Sequence, residues 1–251
     1  MKKPRLAAID IGTNTIRCIV VEVDATGTFR ILDDERVVVR LGEGLHASGR
    51  ISADAWQRAF EALGRLKKII DGFGVEAIEA VATSAVRKAL NGAAFIEAVE
   101  KQIGLSIEVI SGEEEAELAA LSALNNFELE GTRQLLVDIG GGSLELVLTI
   151  GRHIEEIYSL ELGAVYLTDK FLAGQDPVSP ASCKNLRRHV RKTLKSIFAK
   201  EPITVPSLIG SGGTITAIAT MTAAGRKDAY DSIHGYEVLR SDIVHLLAML
   251  E

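Results

Sequence analysis

At 251 residues, 47% of them hydrophobic and 25% charged, the chain is long enough to bury two cores, as two domains of ~125 residues each. A net charge of −6 argues against general affinity for nucleic acid, and no apolar run approaches the ~18 residues of a membrane span. The start MKKPRLAAIDIG passes directly into a strand with no export signal, so the chain reads as a cytoplasmic globular protein without a membrane partner. Cys18 and Cys183 lie far apart with no CxxC neighbour and no His at ligand spacing, which leaves zinc, iron–sulfur and disulfide chemistry without support.

In chain order, residues 6–10, 17–23, 28–34 and 35–41 read as consecutive strands, the first two joined by the turn of DIGTNT. The glycine-rich stretch 41–52 is a loop. Ser52 then caps a helix whose apolar residues Ala55, Ala59, Leu63, Leu66, Ile69 and Ile70 recur at helical spacing as far as Gly72. AIEAVA is a strand running into Thr83, Ser84 and Arg87, where an arginine at a strand's carboxyl end suits phosphate oxygens and equally suits an exposed helix start. Residues 95–103 form a helix and 106–110 a strand.

ISGEEEAELAALSAL opens the next helix. Ser111 and Glu114 have capping-box spacing, which gives Glu114 a structural task and leaves Glu115 without one. Three-residue steps from Glu115 lead to Leu118, Leu121 and Leu124, so the spacing turns Glu115 inward or to a cleft edge, as a candidate proton acceptor with a raised pKa. The alternative is a solvated glutamate at an acidic helix start.

The stretch LLVDIGGGSLELVLTI is the centre of the sequence. An apolar strand delivers Asp138, and the chain turns through Gly140, Gly141, Gly142 and Ser143 before a second strand carries Glu145 away. Glycines let backbone N–H groups converge on a bulky anion, and the two acids are hard oxygen donors suited to Mg²⁺. A plain hairpin is the bland reading of this segment. DIGTNTIRCIVVEV overlays it at an offset of 128 residues, Asp10 on Asp138, Gly12 on Gly140 and Thr15 on Ser143. Two such hairpins imply two similar lobes facing a shared ligand.

Residues 128–133 are a connection, 154–160 continue the sheet, and 161–171 start a helix. A basic helix spans 182–200, where residues 181–200 hold seven Lys or Arg and no acid, while residues 102–132 hold seven acids and no base. That face is either a polyanion track or simply solvated. SLIGSGGTITAIATM gives a third glycine turn, with Gly212, Gly213 and Thr214 at a helix start suited to an anion. No GxxxxGK[ST] is present, and the five histidines show no metal or triad spacing.

AAIDIGTNTIR, VATSAVRKALN, ISGEEEAEL, LLVDIGGGSLELV and LIGSGGTITAIA together resemble, in order and spacing, the exopolyphosphatase and guanosine pentaphosphate phosphohydrolase family. The resemblance implies an α/β protein of the actin-like ATPase superfamily, with two ribonuclease-H-like lobes (residues 1–125 and 126–251), mixed five-stranded sheets flanked by helices, and a cleft between them. It implies that Glu115 activates water and that Arg87 contacts phosphate. Asp10, Asp138 and Glu145 would serve a divalent cation such as Mg²⁺. Phosphate would be held by Gly12, Thr13, Asn14 and Thr15, by Gly140 to Ser143, and by Gly212, Gly213 and Thr214. The substrate would be polyphosphate or guanosine pentaphosphate, and similar proteins are commonly homodimers. Glu117 replaces a frequent Arg of the family, and the second lobe ends earlier than the family core. A small-molecule kinase of the same superfamily and a non-catalytic alarmone sensor are the alternatives.

Overall fold

The computed structural model describes residues 3–127, 131, 133–198, 204–228 and 232–249. The first half runs β1 (Arg5–Ile11), β2 (Thr15–Val23), β3 (Phe29–Val38), α1 (Leu45–Ser48), α2 (Ala53–Phe73), β4 (Ala77–Ala82), α3 (Ser84–Lys88), α4 (Gly92–Ile103) and β5 (Glu108–Val109). The second runs α5 (Gly112–Asn126), β6 (Arg133–Ile139), β7 (Leu144–Ile150), β8 (His153–Leu160), α6 (Ala164–Phe171), α7 (Pro180–Phe198), β9 (Leu208–Ser211), α8 (Gly212–Arg226) and α9 (Arg240–Met249).

The internal repeat is present in three dimensions. One sheet has the order β3-β2-β1-β4-β5 and the other β8-β7-β6-β9. In each, a meander of antiparallel strands is joined on its first strand by a parallel neighbour. Each meander carries a register shift, at Val20/Val21 and at Leu148/Thr149, so even the irregularity repeats at the offset of 128. Five strands were expected in both sheets; the second has four among the described residues.

Local chemistry explains most boundaries. Ser52 accepts from the Ala55 N–H to start α2, which ends at Gly74 in the left-handed region (φ 60°), two residues beyond the expected stop at Gly72. Residues 28–41, expected as two strands, form the single β3, because Asp33, Asp34 and Glu35 interrupt the apolar pattern without the glycine or proline a turn would need. The loop at 41–52 contains the one-turn α1, and the strand expected at 106–110 pairs only over Glu108–Val109. The connection expected at 128–133 falls largely outside the described residues, as do Lys200 and residues 250–251.

Three apolar clusters hold the sheets. Ile9, Ile11, Ile16, Cys18 and Val20 line one face of the first sheet under Ala55, Ala59, Leu63, Leu66 and Ile70 of α2, with Phe95 of α4 edge-on to Trp56 at 5.1 Å. The second sheet is covered on both faces. Ala116 and Ala120 of α5 pack on Leu136 and Val147, while Val190, Leu194 and Phe198 of α7 cover Leu144 and Leu146. Helix α5 precedes β6 in the chain and belongs by packing to the second sheet.

That packing corrects the expected inner face of α5. Leu118 and Leu121 are exposed, and the buried row is Ala116, Ala120 and Leu124 at four-residue steps. Small alanines permit close approach to the sheet, so the helix rotates them inward in preference to the larger leucines. Phe95→Ala is expected to lower unfolding stability by about 3–5 kcal/mol, whereas Leu121→Ala should change it by less than ~0.5 kcal/mol. Denaturant midpoints decide this; a large loss at Leu121 would restore the three-residue face.

Candidate active site

The two repeated turns share one hydrogen-bonding scheme. Gly12 N–H donates to the Thr15 carbonyl at 3.1 Å, and Gly140 N–H donates to the Ser143 carbonyl at 3.1 Å. Two further carbonyls of each turn are then taken from outside. Thr13 O accepts from Gly42 N–H and Asn14 O from Val39 and Arg40, all at 2.9–3.0 Å. In the second turn, Gly140 O accepts from Ala164 N–H, and Gly141 O from Val165 and Tyr166 at the start of α6. Among the described residues, no protein acceptor takes the N–H groups of Thr13, Asn14, Gly141, Gly142 or Ser143. A turn with tied carbonyls and free amides is chemically able to receive an anion.

These turns come from different sheets and touch. A Cβ on Gly141 would lie 3.0 Å from Thr13 Cβ and 3.2 Å from Asn14 N, and one on Gly142 would lie 2.5 Å from Ser84 Oγ and 2.6 Å from Thr13 Oγ1. Only glycine allows this approach. Thr13 is buried and its Oγ1 has no hydrogen-bond partner. The third glycine turn joins the second lobe's acid directly: Ser211 Oγ donates to Asp138 Oδ2 at 2.6 Å, and Gly212 (φ 86°) sits where a Cβ would be 2.6 Å from Asp138 Oδ1. Gly213 lies beside Arg36, and Thr214 is in the first turn of α8.

The acids are set by strand register. Asp138 is opposite Glu145 on β6 and β7, so both share the face that carries Val147 toward α5. The equivalent pair in the first sheet is Asp10 opposite Arg17. The repeat thus offers acid with acid on one side and acid with base on the other. Glu145 is buried and receives the Ser159 hydroxyl at 3.0 Å.

Glu115 is carried into this group by α5, whose capping box Ser111/Glu114 forms as the spacing predicts, Ser111 N–H donating to Glu114 at 2.7 Å. Arg87 Nη2 lies 3.3 Å from Glu115 Oε2, and Arg87 Nη1 donates to Ile110 O at 2.5 Å, just ahead of the cap. Both side chains are about three-quarters buried, with 24% and 23% exposure. The guanidinium therefore spans the end of α3 and the start of α5, and with the neighbouring Lys88–Glu161 pair at 2.8 Å it ties α3 to the second half of the chain.

Burial raises every one of these carboxyls. Desolvation pushes Glu145 up to about 7, reinforced by neighbouring Glu115 and Asp138 and opposed by the Ser143 and Ser159 hydroxyls. Asp10 rises to about 6 through desolvation, with Arg17 opposing and Asp138 reinforcing; the carboxyl still reaches solvent through the cleft. Glu115 is raised by desolvation despite Arg87, with Asp10 and Asp138 adding to the rise, and Asp138 is raised by desolvation against Ser211 and Arg17. Mutual influence among Asp10, Glu115, Asp138 and Glu145 places all four around one space. The recess lined by Asp71, Gly74, Val75 and Ser106 lies at the opposite end of β4 and includes none of them.

The sequence flagged the turn that holds Ser84 but missed Arg17, Arg36 and the part played by the two serines that hold the acids, Ser159 and Ser211. Arg17 had a signal, since it occupies the repeat position of Glu145. Ser159 had none, being brought in by β8, whereas Ser211 lay in the third glycine turn and meets Asp138 through the pairing of β6 with β9.

A family model described as the Ppx/GppA phosphatase family matches residues 19–250. A Mycobacterium tuberculosis protein named Exopolyphosphatase 2 is 33% identical over 262 residues, covering 100% of this chain and 81% of the relative. Among solved structures, an exopolyphosphatase from Cytophaga hutchinsonii aligns with a TM-score of 0.88 at 27% identity, over 98% of this chain and 79% of that one. The Aquifex aeolicus Ppx/GppA family member aligns with a TM-score of 0.70 at 33% identity, over 91% and 72%.

Glu145 ionises near 4.5 when unperturbed and near 7 in the folded protein, so the folded form binds the extra proton and its stability falls as pH rises through that window. Glu145→Gln, with no charge to bury, is expected to raise the melting temperature at pH 8 and leave it nearly unchanged at pH 5. Equal shifts at both pH values would contradict the raised pKa.

Proposed function

The chain belongs to the Ppx/GppA phosphatase family, and from that we propose that it hydrolyses phosphoanhydrides, releasing the terminal orthophosphate of inorganic polyphosphate and, by the same chemistry, the 5′-γ-phosphate of pppGpp. The observation that carries the reading is the pair of turns with tied carbonyls and free amides, meeting beside Glu115 and Arg87.

The donor set fits a divalent cation. Four partly or fully desolvated carboxyls face two guanidiniums, those of Arg17 and Arg87, so the space carries an excess of negative charge that a dication would balance. No three His, Cys, Asp or Glu residues converge into a closed cage among the described residues. That suits Mg²⁺, which takes one or two carboxylates and completes its shell with water and phosphate oxygens. Asp138, Glu145 and Asp10 would hold it, and when bound it supplies charge neutralisation on the phosphate oxygens.

The chain's own groups do the rest. Free amides of both turns bind the terminal phosphoryl oxygens and gain strength as charge develops on them. Arg87, fixed by the Ile110 carbonyl, can hold one of those oxygens while keeping Glu115 in place. Glu115, with its pKa raised by burial, accepts a proton from water as the water oxygen bonds to phosphorus. The P–O bond to the rest of the chain breaks, and the shortened chain leaves with that electron pair.

Phosphate release from polyphosphate and from pppGpp, each with and without Mg²⁺, tests the proposal. Release that needs the cation is expected, and Glu115→Gln should lower it by ~10²-fold or more. A folded protein that releases no phosphate from either substrate, or near-normal turnover in the Glu115→Gln variant, would contradict it.

A further inference from the structure

Register places a second positive feature beside the acids. Asp10 on β1 is opposite Arg17 on β2, and Arg17 is opposite Arg36 on β3, so the three side chains form a row on one sheet face at ~5 Å steps. Two like charges directly opposite one another destabilise a sheet unless something of opposite sign joins them. Among the described residues neither arginine makes a hydrogen bond or ion pair, although Asp34 lies two residues from Arg36 on the same face. Arg17 acts at longer range on Asp10 and Asp138, which fixes the inner end of the row at the cleft. The outer end is fixed as well: a Cβ on Gly213 would lie 3.5 Å from Arg36 Nη2. Arg36 thus crosses from the first sheet to the glycine turn that adjoins Asp138 in the second.

We propose that Arg36, beside Arg17 and the Gly212–Gly213 turn, binds the third and later phosphates of a linear phosphate chain, on the leaving-group side of the scissile bond. The assignment rests on the phosphoanhydride reading of the same cleft. Arg87 and Glu115 hold the end where phosphate is released, and Arg36 stands across the acids from them on the remaining path between the sheets. On this assignment the turns and the acids take the first two phosphates. Longer chains reach the guanidinium, whose fork matches phosphate oxygens in pairs. Arg36 is therefore a length-selecting residue that takes no part in proton transfer.

The test is equilibrium binding of pyrophosphate and tripolyphosphate, with Mg²⁺, to the Glu115→Gln protein, in which turnover is suppressed. Adding Arg36→Ala is expected to weaken tripolyphosphate about tenfold, the worth of one charge-assisted contact, and to leave pyrophosphate within about twofold. Arg36→Lys should recover part of the loss, as a point charge without the fork. Arg36 is exposed, so a preserved melting temperature is expected and shows that the comparison is between folded proteins. Equal weakening of both ligands, or tripolyphosphate binding unchanged by Arg36→Ala, would overturn the assignment, as would failure of the Arg36-intact protein to bind tripolyphosphate. Length-dependent binding in a parent protein that releases no phosphate would overturn the hydrolase reading and leave Arg36 in place.

Discussion

The free amides of Gly141, Gly142 and Ser143 exist because the carbonyls of the same turn are already bonded by the start of α6. Everything else at the site follows from that imbalance. Opposite it, Thr13 and Asn14 have spent their carbonyls on the segment that follows β3, and their amides are free too. A backbone group without a partner in a crowded place is unfavourable by itself, and two turns of them held face to face present a set of donors suited to an anion. The contact is kept close by glycine at 141 and 142, where any side chain would strike Thr13, Asn14 or Ser84.

The acids form the complement. Asp10, Asp138, Glu115 and Glu145 are each desolvated and each raised, and three of them are delivered by strand registers that the repeat makes equivalent. Removing a carboxylate from water weakens folding, so holding the cluster together costs the fold stability. The serines at 159 and 211 limit that loss by donating to Glu145 and Asp138, and Arg87 does so for Glu115. The ion pair between α3 and α5 therefore serves both lobe contact and the orientation of Glu115.

Much of this was legible in the sequence. The 128-residue repeat anticipates two matching hairpins, because hairpin geometry depends on residues adjacent in the chain, and the structure adds that their register shifts also match. Glu115 lies among the other acids and the Ser111/Glu114 capping box forms, but the helix face was read from Leu118 and Leu121, which are exposed. Periodicity alone could not distinguish a leucine row from an alanine row that lets the helix sit closer to the sheet. Ser84 against Gly142 and Arg36 beside Gly213 were beyond reach, since each joins segments whose meeting depends on how the lobes pack, and Ser159 on Glu145 depends on a β7–β8 register that a bulge shifts. Arg17 lay within reach, as the basic counterpart of Glu145 in the repeat.

The most direct measurement is a crystal structure with Mg²⁺ and a non-hydrolysable imido analogue of triphosphate. The account predicts the terminal phosphoryl group between the Gly12–Thr15 and Gly140–Ser143 turns, within hydrogen-bond reach of their free amides, with Glu115 on the side from which water attacks. An analogue seated on the basic face of α7, or a terminal phosphate out of reach of both turns, would contradict it.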